Sequence, residues 1–278
     1  MDAAPSPRIL RHSPGTVDGL AHNAAHRLAT QHALVHYATG AVFTFIPKNA
    51  CTSLRVSLAM ANGVIAAPEE WTWVHNNNAT FSATLADLAR APISVVILRC
   101  PFRRLASAFL DKIVSRMPEF WTLHRKSRDM IDPDRLTFRG FVEWIGKPGF
   151  LRADLHWRPQ VDFLVYRQYD KIFAFERLSG FDAFFADVTG QSFVDARPLS
   201  GHATSVKAPL TGDGLADMPL AELAWMKFQG QLPRAIDLYD DALVATVTRL
   251  YADDIALYRD LFGKADLLFP PPMQEDRP

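Results

Sequence analysis

Lys48, Thr52 and Ser53 have residue types and a spacing that suit the binding of an anion. They lie in the segment 42–55, where an apolar, β-branched and aromatic run stops at Pro47 and small polar residues follow. A helix N terminus offers backbone N–H groups and partial positive charge, to which an ammonium group and two hydroxyls would add. We therefore expect a strand, a tight loop and a helix that together hold a phosphate or sulfate group. Taken alone, Thr52 is equally typical of a plain helix N-cap.

Arg99 follows a second apolar run, 93–98, and precedes Pro101 and a helical pattern. In an open α/β sheet, a residue at the carboxyl end of a strand lies at the crevice where such folds bind ligands. Ser107 comes two turns into the following helix and is expected to face the same anion. Neither stretch has the G-x-x-x-x-G-K-[ST] pattern of a Walker A loop.

The two stretches together resemble the PAPS-dependent sulfotransferases, most closely the carbohydrate sulfotransferases of the chondroitin and HNK-1 type. That family has a P-K-x-x-C-T loop before a helix, here Pro47 to Thr52, which holds the 5′-phosphosulfate of PAPS (3′-phosphoadenosine 5′-phosphosulfate). It has R-x-P-F-x-R-L-x-S-A downstream, here Arg99 to Ala108, which holds the 3′-phosphate. The resemblance extends over roughly residues 40–263 through the segments 136–142, 156–157, 169–178 and 250–258. Cys100 stands where the family often has an acidic residue.

The resemblance implies an α/β fold, a three-layer sandwich with a mainly parallel central sheet of the P-loop-like sulfotransferase type. It implies transfer of the sulfuryl group from PAPS to a hydroxyl of a carbohydrate or carbohydrate-containing acceptor, with no metal. The positions implied to bind the co-substrate are Lys48, Asn49, Ala50, Cys51, Thr52, Ser53, Arg99 and Ser107. The catalytic candidates are Lys48, His75 and His156.

Two histidines are candidates for the base that removes the proton of the acceptor. His75 occupies the relative place of a family histidine, and His156 with Trp157 matches the family's His-Trp pair. Each has a purely structural alternative, a hydrogen-bonded loop histidine, and Trp157 is either a sugar-stacking platform or core. We favour His75 as the base and rank His156 second.

Composition limits the classes of function. The 278 residues are 49% hydrophobic and 22% charged, with a formal net charge of zero and a pI of about 7.1. This balance is typical of a globular chain with an ample core, and it gives no field that would favour nucleic acid. Between 99 and 139 the Lys and Arg residues number ten and the acids five, a surplus of five that suits a nucleotide with several negative charges. A solvated helical face is the alternative explanation.

Location and metal binding are also predicted from the sequence. No apolar run reaches the ~18 residues of a membrane span, whereas Golgi sulfotransferases are anchored by one, so we expect a soluble, cytoplasmic and bacterial enzyme. The two cysteines agree with a reducing compartment. The i,i+4 pairs His22/His26 and His32/His36 could hold a metal, but an exposed helix is the favoured interpretation.

The pattern along the chain predicts three regions: a partly helical N-terminal extension 1–40, a sulfotransferase domain 41–265 with a helical lid or subdomain at about 115–150, and a disordered tail 266–278. Beyond the two motifs it predicts strands at 161–166 and 171–176 and a short strand or loop at 71–78. It predicts helices at 17–33, 82–90, 180–188, 220–229 and 238–262 and a polar loop at 195–215. The resemblance implies a flexible loop there that closes over the nucleotide, although this chain matches the family only loosely in that segment.

Two rival functions are compatible with parts of the sequence. A P-loop-type small-molecule kinase would need a glycine-rich loop and an Asp at the end of the second strand, where this chain has Arg99. A non-catalytic nucleotide- or glycan-binding protein could use the same scaffold, although Lys48 and two candidate bases argue against it.

Overall fold

A computed structural model describes residues 8–13, 19–77, 79–199 and 208–270. The chain divides into two compact units, one drawn from Met1–Leu98 and Gln160–Ala203 and the other from Arg99–Pro159 and Thr204–Pro278. The second unit therefore begins at the residue that follows the second predicted strand. Each unit is described by itself below.

The first unit is built on a four-stranded sheet in the order β1-β2-β3-β4. The strands are β1 (Ala33–Val35), β2 (Val42–Thr44), β3 (Ser94–Leu98) and β4 (Lys171–Ala174). β2, β3 and β4 are parallel, with Phe43 opposite Val95 and Ile97 opposite Phe173, and β1 pairs antiparallel with β2. Residues of β2 and β3 are buried throughout, as expected for the apolar centre of a parallel sheet. The predicted neighbours β2 and β3 are confirmed, whereas β1 was not predicted.

Helices cover both faces of this sheet. Alternate residues such as Phe43, Val95 and Ile97 pack with α2 (Cys51–Ala61) and α8 (Phe181–Thr189). The opposite face, including Val35 and Val42, packs with α1 (Ala24–Gln31) and α4 (Leu85–Arg90). The period of two along a strand separates these two sets of side chains. The predicted three-layer α/β fold with a mainly parallel sheet is confirmed.

Local chemistry sets the helix ends of this unit. Thr84 accepts the N–H of Asp87 and the Asp87 carboxylate accepts the N–H of Thr84, a capping box that starts α4 at Leu85, later than predicted. Gly190, at φ 74°, ends α8 in the left-handed conformation that a Cβ disfavours. Asn62 and Gly63 end α2 as expected.

The strand predicted at 161–166 is wrong. Gln160–Phe163 forms a 3₁₀ turn, and the Phe163 ring packs edge-on against His32 at 4.7 Å. Beyond it only Tyr166 forms an isolated bridge, to Leu10. The β-branched and aromatic residues of this segment are buried by packing, and tertiary contacts here override their strand propensity.

The histidine-rich N-terminal segment differs from its favoured interpretation as an exposed helix. His26, His32 and His36 are buried, and His32 and His36 lie outside α1. Their rings bond locally: His32 Nδ1 lies 2.8 Å from the Leu28 carbonyl and His36 Nδ1 2.8 Å from Thr39 Oγ1. Burial lowers the pKa of His26 and His36, so both are neutral near pH 7.

The second unit is mainly helical. Its helices are α5 (Pro101–Ala108), α6 (Pro118–Lys126), α7 (Phe138–Ile145), α9 (Leu220–Phe228), α10 (Asp241–Leu250) and α11 (Ala252–Phe262). A short parallel pair, β5 (Ala208–Leu210) and β6 (Gln231–Pro233), accompanies them. Of the apolar face predicted for α7, Phe138, Phe141, Val142 and Ile145 are buried, whereas Trp144 is half-buried.

Two boundaries in this unit differ from prediction. The single helix expected at 238–262 is broken at Tyr251, whose backbone leaves the helical region at φ −115° and ψ 31°. Packing also extends beyond 265, since Leu267 is buried and the Phe269 ring contacts Phe102 and Tyr239. Positions 271–278 of the predicted tail lie outside the described residues.

α3 (Trp73–Asn76) lies in the first unit and completes the set of described helices. None of the helices in the described ranges is long and apolar enough to cross a membrane.

Candidate active site

The loop between β2 and α2 has an unusual backbone. Lys48 and Ala50 adopt left-handed conformations with φ 73° and 56°, although neither is glycine. Such a conformation costs about 1–2 kcal/mol for each residue with a Cβ, and it occurs where the surroundings impose it. Ala50 is the N-cap of α2 and supplies no capping side chain. The backbone N–H groups of the first helical turn thus begin at Cys51 without a side-chain cap, the arrangement that binds anions.

Asn49, between the two left-handed residues, is anchored inside the unit. It is 1% exposed, and its Nδ2 donates to the Ile97 carbonyl at 2.9 Å and to Gln160 Oε1 at 2.6 Å. Its backbone N–H donates to the Ile46 carbonyl at 3.1 Å. All three N–H bonds of Asn49 are therefore engaged inside the unit. Asn49 anchors the loop to the end of β3, and its contact with the co-substrate stays a prediction.

Replacing Asn49 should lower stability without touching the anion. In Asn49→Ala, the Ile97 carbonyl and Gln160 Oε1 lose this donor, and each lost hydrogen bond costs about 0.5–1.5 kcal/mol. We expect the urea midpoint of unfolding to fall clearly, whereas Asn77→Ala, which removes a bond to its own helix at Trp73, should change it little. Equal midpoints for wild type and Asn49→Ala would show that the loop is held by other contacts.

The remaining positions of the predicted loop divide by exposure. Ser53 is buried, and its Oγ accepts the backbone N–H of Ala196 at 3.0 Å, while Ser57 Oγ accepts that of Val194 at 2.8 Å. The two hydroxyls hold the chain after α8 against α2. Cys51 and Thr52 are half-buried in the first turn and remain accessible for an anion. Most of the polar residues of the predicted closing loop, His202, Thr204, Ser205 and Lys207 among them, lie outside the described residues.

Arg55 connects the base of the loop to the helix that carries His75. Its buried guanidinium donates to the Val74 carbonyl and lies over the Phe45 ring, 5.2 Å from the centroid. Burial lowers the pKa of Arg55. The segment predicted as a short strand or loop is α3, a four-residue helix held by this bond. His75 is exposed on α3, with its ring 5.4 Å from that of Trp71.

The second motif opens the second unit. Arg99 is half-buried directly after β3, and Pro101 occupies the first turn of α5. Arg103 and Ser107 are four residues apart on α5 and share one face, and both are half-buried. Nε of Arg103 is buried and has no hydrogen-bond partner among the described residues. Sequence reasoning missed Arg103, although its spacing from Ser107 was a signal.

Arg104, the second arginine of the family motif, has a structural role. It is 2% exposed and donates to the carbonyls of Arg158 at 2.7 Å and Leu155 at 3.1 Å. The same turn is held by Trp157, which is 1% exposed and donates Nε1–H to the Phe150 carbonyl at 3.1 Å. Trp157 is therefore core, not a sugar-stacking platform.

His156 lies on that turn and is paired with a carboxylate. Its Nδ1 is 2.8 Å from Asp154 Oδ1 and 3.5 Å from Glu119 Oε1, and its side chain is 22% exposed. Asp154 Oδ1 also accepts the backbone N–H of His156 at 2.8 Å. His156 thus has a carboxylate partner at both its backbone and its ring, and His75 lies exposed on the four-residue helix α3.

No group of three or more His, Cys, Asp or Glu residues that could hold a metal ion occurs in the described part of the chain. Both cysteines are free thiols.

Comparison with known proteins gives one finding. A sequence model described as "Sulfotransferase family" matches residues 31–183, just over half of the chain, which includes the β2–α2 loop, His75, Arg99 and His156. Neither the curated proteins nor the solved structures contain a significant match. The extent of the family match, on a mainly parallel α/β sheet, shows that this chain belongs to the sulfotransferase family.

Proposed function

We propose that the enzyme transfers the sulfuryl group of PAPS to a hydroxyl of a carbohydrate or carbohydrate-containing acceptor. Membership of the family supports sulfuryl transfer in general. The observation that carries the proposal is the loop at 47–50, where two left-handed residues, Lys48 and Ala50, turn the chain into an uncapped helix start. Keeping a strained loop of this kind is typical of a functional site.

The loop supplies the electrostatic part of the mechanism. During transfer, the bond from sulfur to the bridging oxygen of the 5′-phosphate breaks, and negative charge grows on that oxygen and on the sulfuryl oxygens. The N–H groups of Cys51 and Thr52 and the ammonium group of Lys48 would stabilise this charge, and stabilisation of this kind commonly contributes more to catalysis than any other effect. Their preorganisation by Asn49 means that little rearrangement is needed during the reaction.

Arg99, Arg103 and Ser107 are assigned to the 3′-phosphate of the nucleotide. The resemblance supplies Arg99 and Ser107, and the shared face of α5 adds Arg103, whose buried Nε has no partner of its own in the described chain. A planar guanidinium matches a phosphate with two parallel hydrogen bonds. The basic surplus between 99 and 139 supports this assignment only partly, because Arg139 forms exposed ion pairs with Asp217 and Asp240.

Removing these side chains should weaken binding of adenosine 3′,5′-bisphosphate (PAP). Arg99→Ala and Arg103→Ala should each cost about 1.5–3 kcal/mol, which is typical of a hydrogen bond to a charged group, and Ser107→Ala less. AMP, which lacks the 3′-phosphate, should bind all three variants like wild type. Calorimetric titration measures both nucleotides, and Arg125→Ala, exposed on α6, is the matched control. Equal losses for PAP and AMP would exclude the assignment to the 3′-phosphate.

The acceptor and its base complete the proposal. The assignment of a carbohydrate hydroxyl as the acceptor rests on the resemblance. His75 and His156 are the candidates for the base that removes the proton of this hydroxyl. The two free cysteines support a reducing compartment, and we propose a cytoplasmic enzyme.

The test of the reaction is incubation with PAPS and a panel of defined mono- and disaccharides, followed by mass spectrometry. We expect at least one sugar to gain the mass of one SO₃, with PAP formed in equal amount. Formation of PAP without any sulfated sugar would contradict a carbohydrate acceptor, and the absence of both would contradict use of PAPS.

A further inference from the structure

We infer that Asp154 is a positioning residue that fixes His156 with Nε2 as the atom accepting the acceptor proton. The inference rests on the proposed function, which it deepens by choosing between two histidines and naming the reactive nitrogen. It depends on three features of the second unit: a rigid turn, a directed hydrogen bond and the charges around the imidazole.

The turn at 154–158 is held by three hydrogen bonds from two other segments. Arg104 of α5 donates to the carbonyls of Leu155 and Arg158, and the Tyr251 hydroxyl donates to the carbonyl of Trp157 at 2.5 Å. Burial raises the pKa of Tyr251, so its hydroxyl stays protonated and remains a donor. Three segments that resembled the family separately, around 104, 156 and 251, thus converge on this one turn. A side chain mounted on such a backbone keeps its geometry during a reaction.

The hydrogen bond decides which ring nitrogen is basic. An ionised carboxylate only accepts, so the 2.8 Å contact between Asp154 Oδ1 and His156 Nδ1 places the proton on Nδ1. Nε2 of the neutral ring then carries the lone pair. The same oxygen of Asp154 accepts the His156 backbone N–H, which prevents the carboxylate from turning away. This is the arrangement by which a carboxylate orients a catalytic histidine.

The other charged groups near the ring come from two neighbouring elements. Glu119 of α6 places Oε1 3.5 Å from Nδ1. Lys112, in the π-helical turn Phe109–Ile113, lies 3.5 Å from the same Glu119 oxygen and 3.6 Å from Asp111. Among the described residues, the carboxylates of Asp154 and Glu119 therefore lie within 3.5 Å of Nδ1, and the Lys112 ammonium group pairs with Glu119. This arrangement favours the imidazolium that forms once the proton has moved.

Proton transfer to His156 accompanies the displacement at sulfur. The O–H bond of the acceptor breaks and its proton moves to Nε2 of His156, while the acceptor oxygen forms a bond to sulfur. The bond from sulfur to the 5′-phosphate oxygen breaks, and its electron pair leaves with PAP. Asp154 stays ionised throughout and stabilises the positive ring.

A spectroscopic experiment tests the positioning role independently of activity. Long-range ¹H–¹⁵N spectra of the ¹⁵N-histidine-labelled protein above neutral pH report the tautomer, and the His156→Gln spectrum identifies the His156 signals. We expect the Nδ1–H tautomer in wild type and a mixture of tautomers in Asp154→Asn, whose amide can donate to the ring as well as accept. The Nε2–H tautomer in wild type would overturn the inference.

A kinetic experiment tests the catalytic consequence. Asp154→Asn should lower kcat of PAPS-dependent transfer roughly 10²-fold, at the lower end of the range for general-base catalysis, with little change in KM for PAPS. The pH profile of kcat should differ from that of wild type, because one of the two carboxylates beside the ring is removed. Asp154→Glu should recover part of kcat, which a purely structural role would not predict.

Asp129→Asn is the matched control, because it removes an exposed carboxylate 3.4 Å from His124 in the same unit. It should leave kcat and the pH profile unchanged, and circular dichroism checks that every variant is folded. A folded Asp154→Asn enzyme with wild-type kcat and pH profile would overturn the inference while leaving the proposed function intact. If the wild-type protein binds no PAP, the proposed function is overturned. The assignment of His156 as the base then fails too, whichever tautomer its ring has.

Discussion

Lys48→Ala should lower the turnover of sulfuryl transfer by roughly 10²–10³-fold, the usual effect of removing one group that stabilises transition-state charge. KM for PAPS should rise much less, because the charge that Lys48 faces grows only as the bond to sulfur breaks. The left-handed backbone at Lys48 supports this role, since a residue with a Cβ keeps this conformation at a cost, next to the anchored Asn49. Steady-state kinetics with varied PAPS at a saturating sugar acceptor separate kcat from KM.

Lys171→Ala is the control for losing one positive charge outside the loop, since Lys171 is exposed at the start of β4 in the same unit. Its kcat and KM should equal those of wild type. If Lys48→Ala instead raised KM and left kcat unchanged, Lys48 would serve ground-state binding of the nucleotide, and the electrostatic mechanism at the loop would be wrong.

His156→Gln should have the second large effect, a loss of kcat of roughly 10²–10⁴-fold through loss of the general base, with PAP affinity nearly intact. His75→Gln should lower kcat far less, because His75 is exposed on a four-residue helix. We thus rank His156 above His75 as the base, the reverse of the ranking that the resemblance suggested. The reason is the contact between Asp154 and His156, which only the structure shows. The discriminating measurement is the pH profile of kcat at saturating PAPS and acceptor in both variants.

The pH profile has clear alternative outcomes. A limb near neutral pH that vanishes in His156→Gln and persists in His75→Gln identifies His156 as the base. The opposite pattern identifies His75. Wild-type turnover in both variants would mean that the base is another group, and Glu119, with a buried Oε2 that has no partner in the described residues, would be the next candidate.

The sequence predicted those parts of the fold that depend on local pattern. Two apolar runs that break at Pro47 and Arg99 predicted β2 and β3, and their pairing follows because consecutive parallel strands joined by a helix are commonly neighbours. The loop was found by its residue types. The inward orientation of Asn49 was not predicted, because an asparagine beside Lys48 is as typical of an anion contact as of a buried anchor.

Tertiary contacts explain what the sequence did not predict. The segment 161–166 has strand-like composition, yet its first part is a 3₁₀ turn with Phe163 packed on His32. Similarly, the break at Tyr251 is not a local signal, because the residue lies in a continuous helical pattern and its hydroxyl bonds to a turn 94 residues away. The Asp154–His156 pair has a spacing of only two residues, and short spacing alone does not predict a hydrogen bond.

Binding of PAP compared with ADP tests the central claim, use of PAPS as the donor, most directly and without knowledge of the acceptor. Both nucleotides carry two phosphate groups on adenosine, but only PAP has one at the 3′ position. Calorimetric titration of the wild-type chain should show saturable binding of PAP and at least tenfold weaker binding of ADP, a difference of about 1.4 kcal/mol or more. Equal affinity for the two nucleotides, or a preference for ADP, would contradict the use of PAPS and favour a kinase-like site.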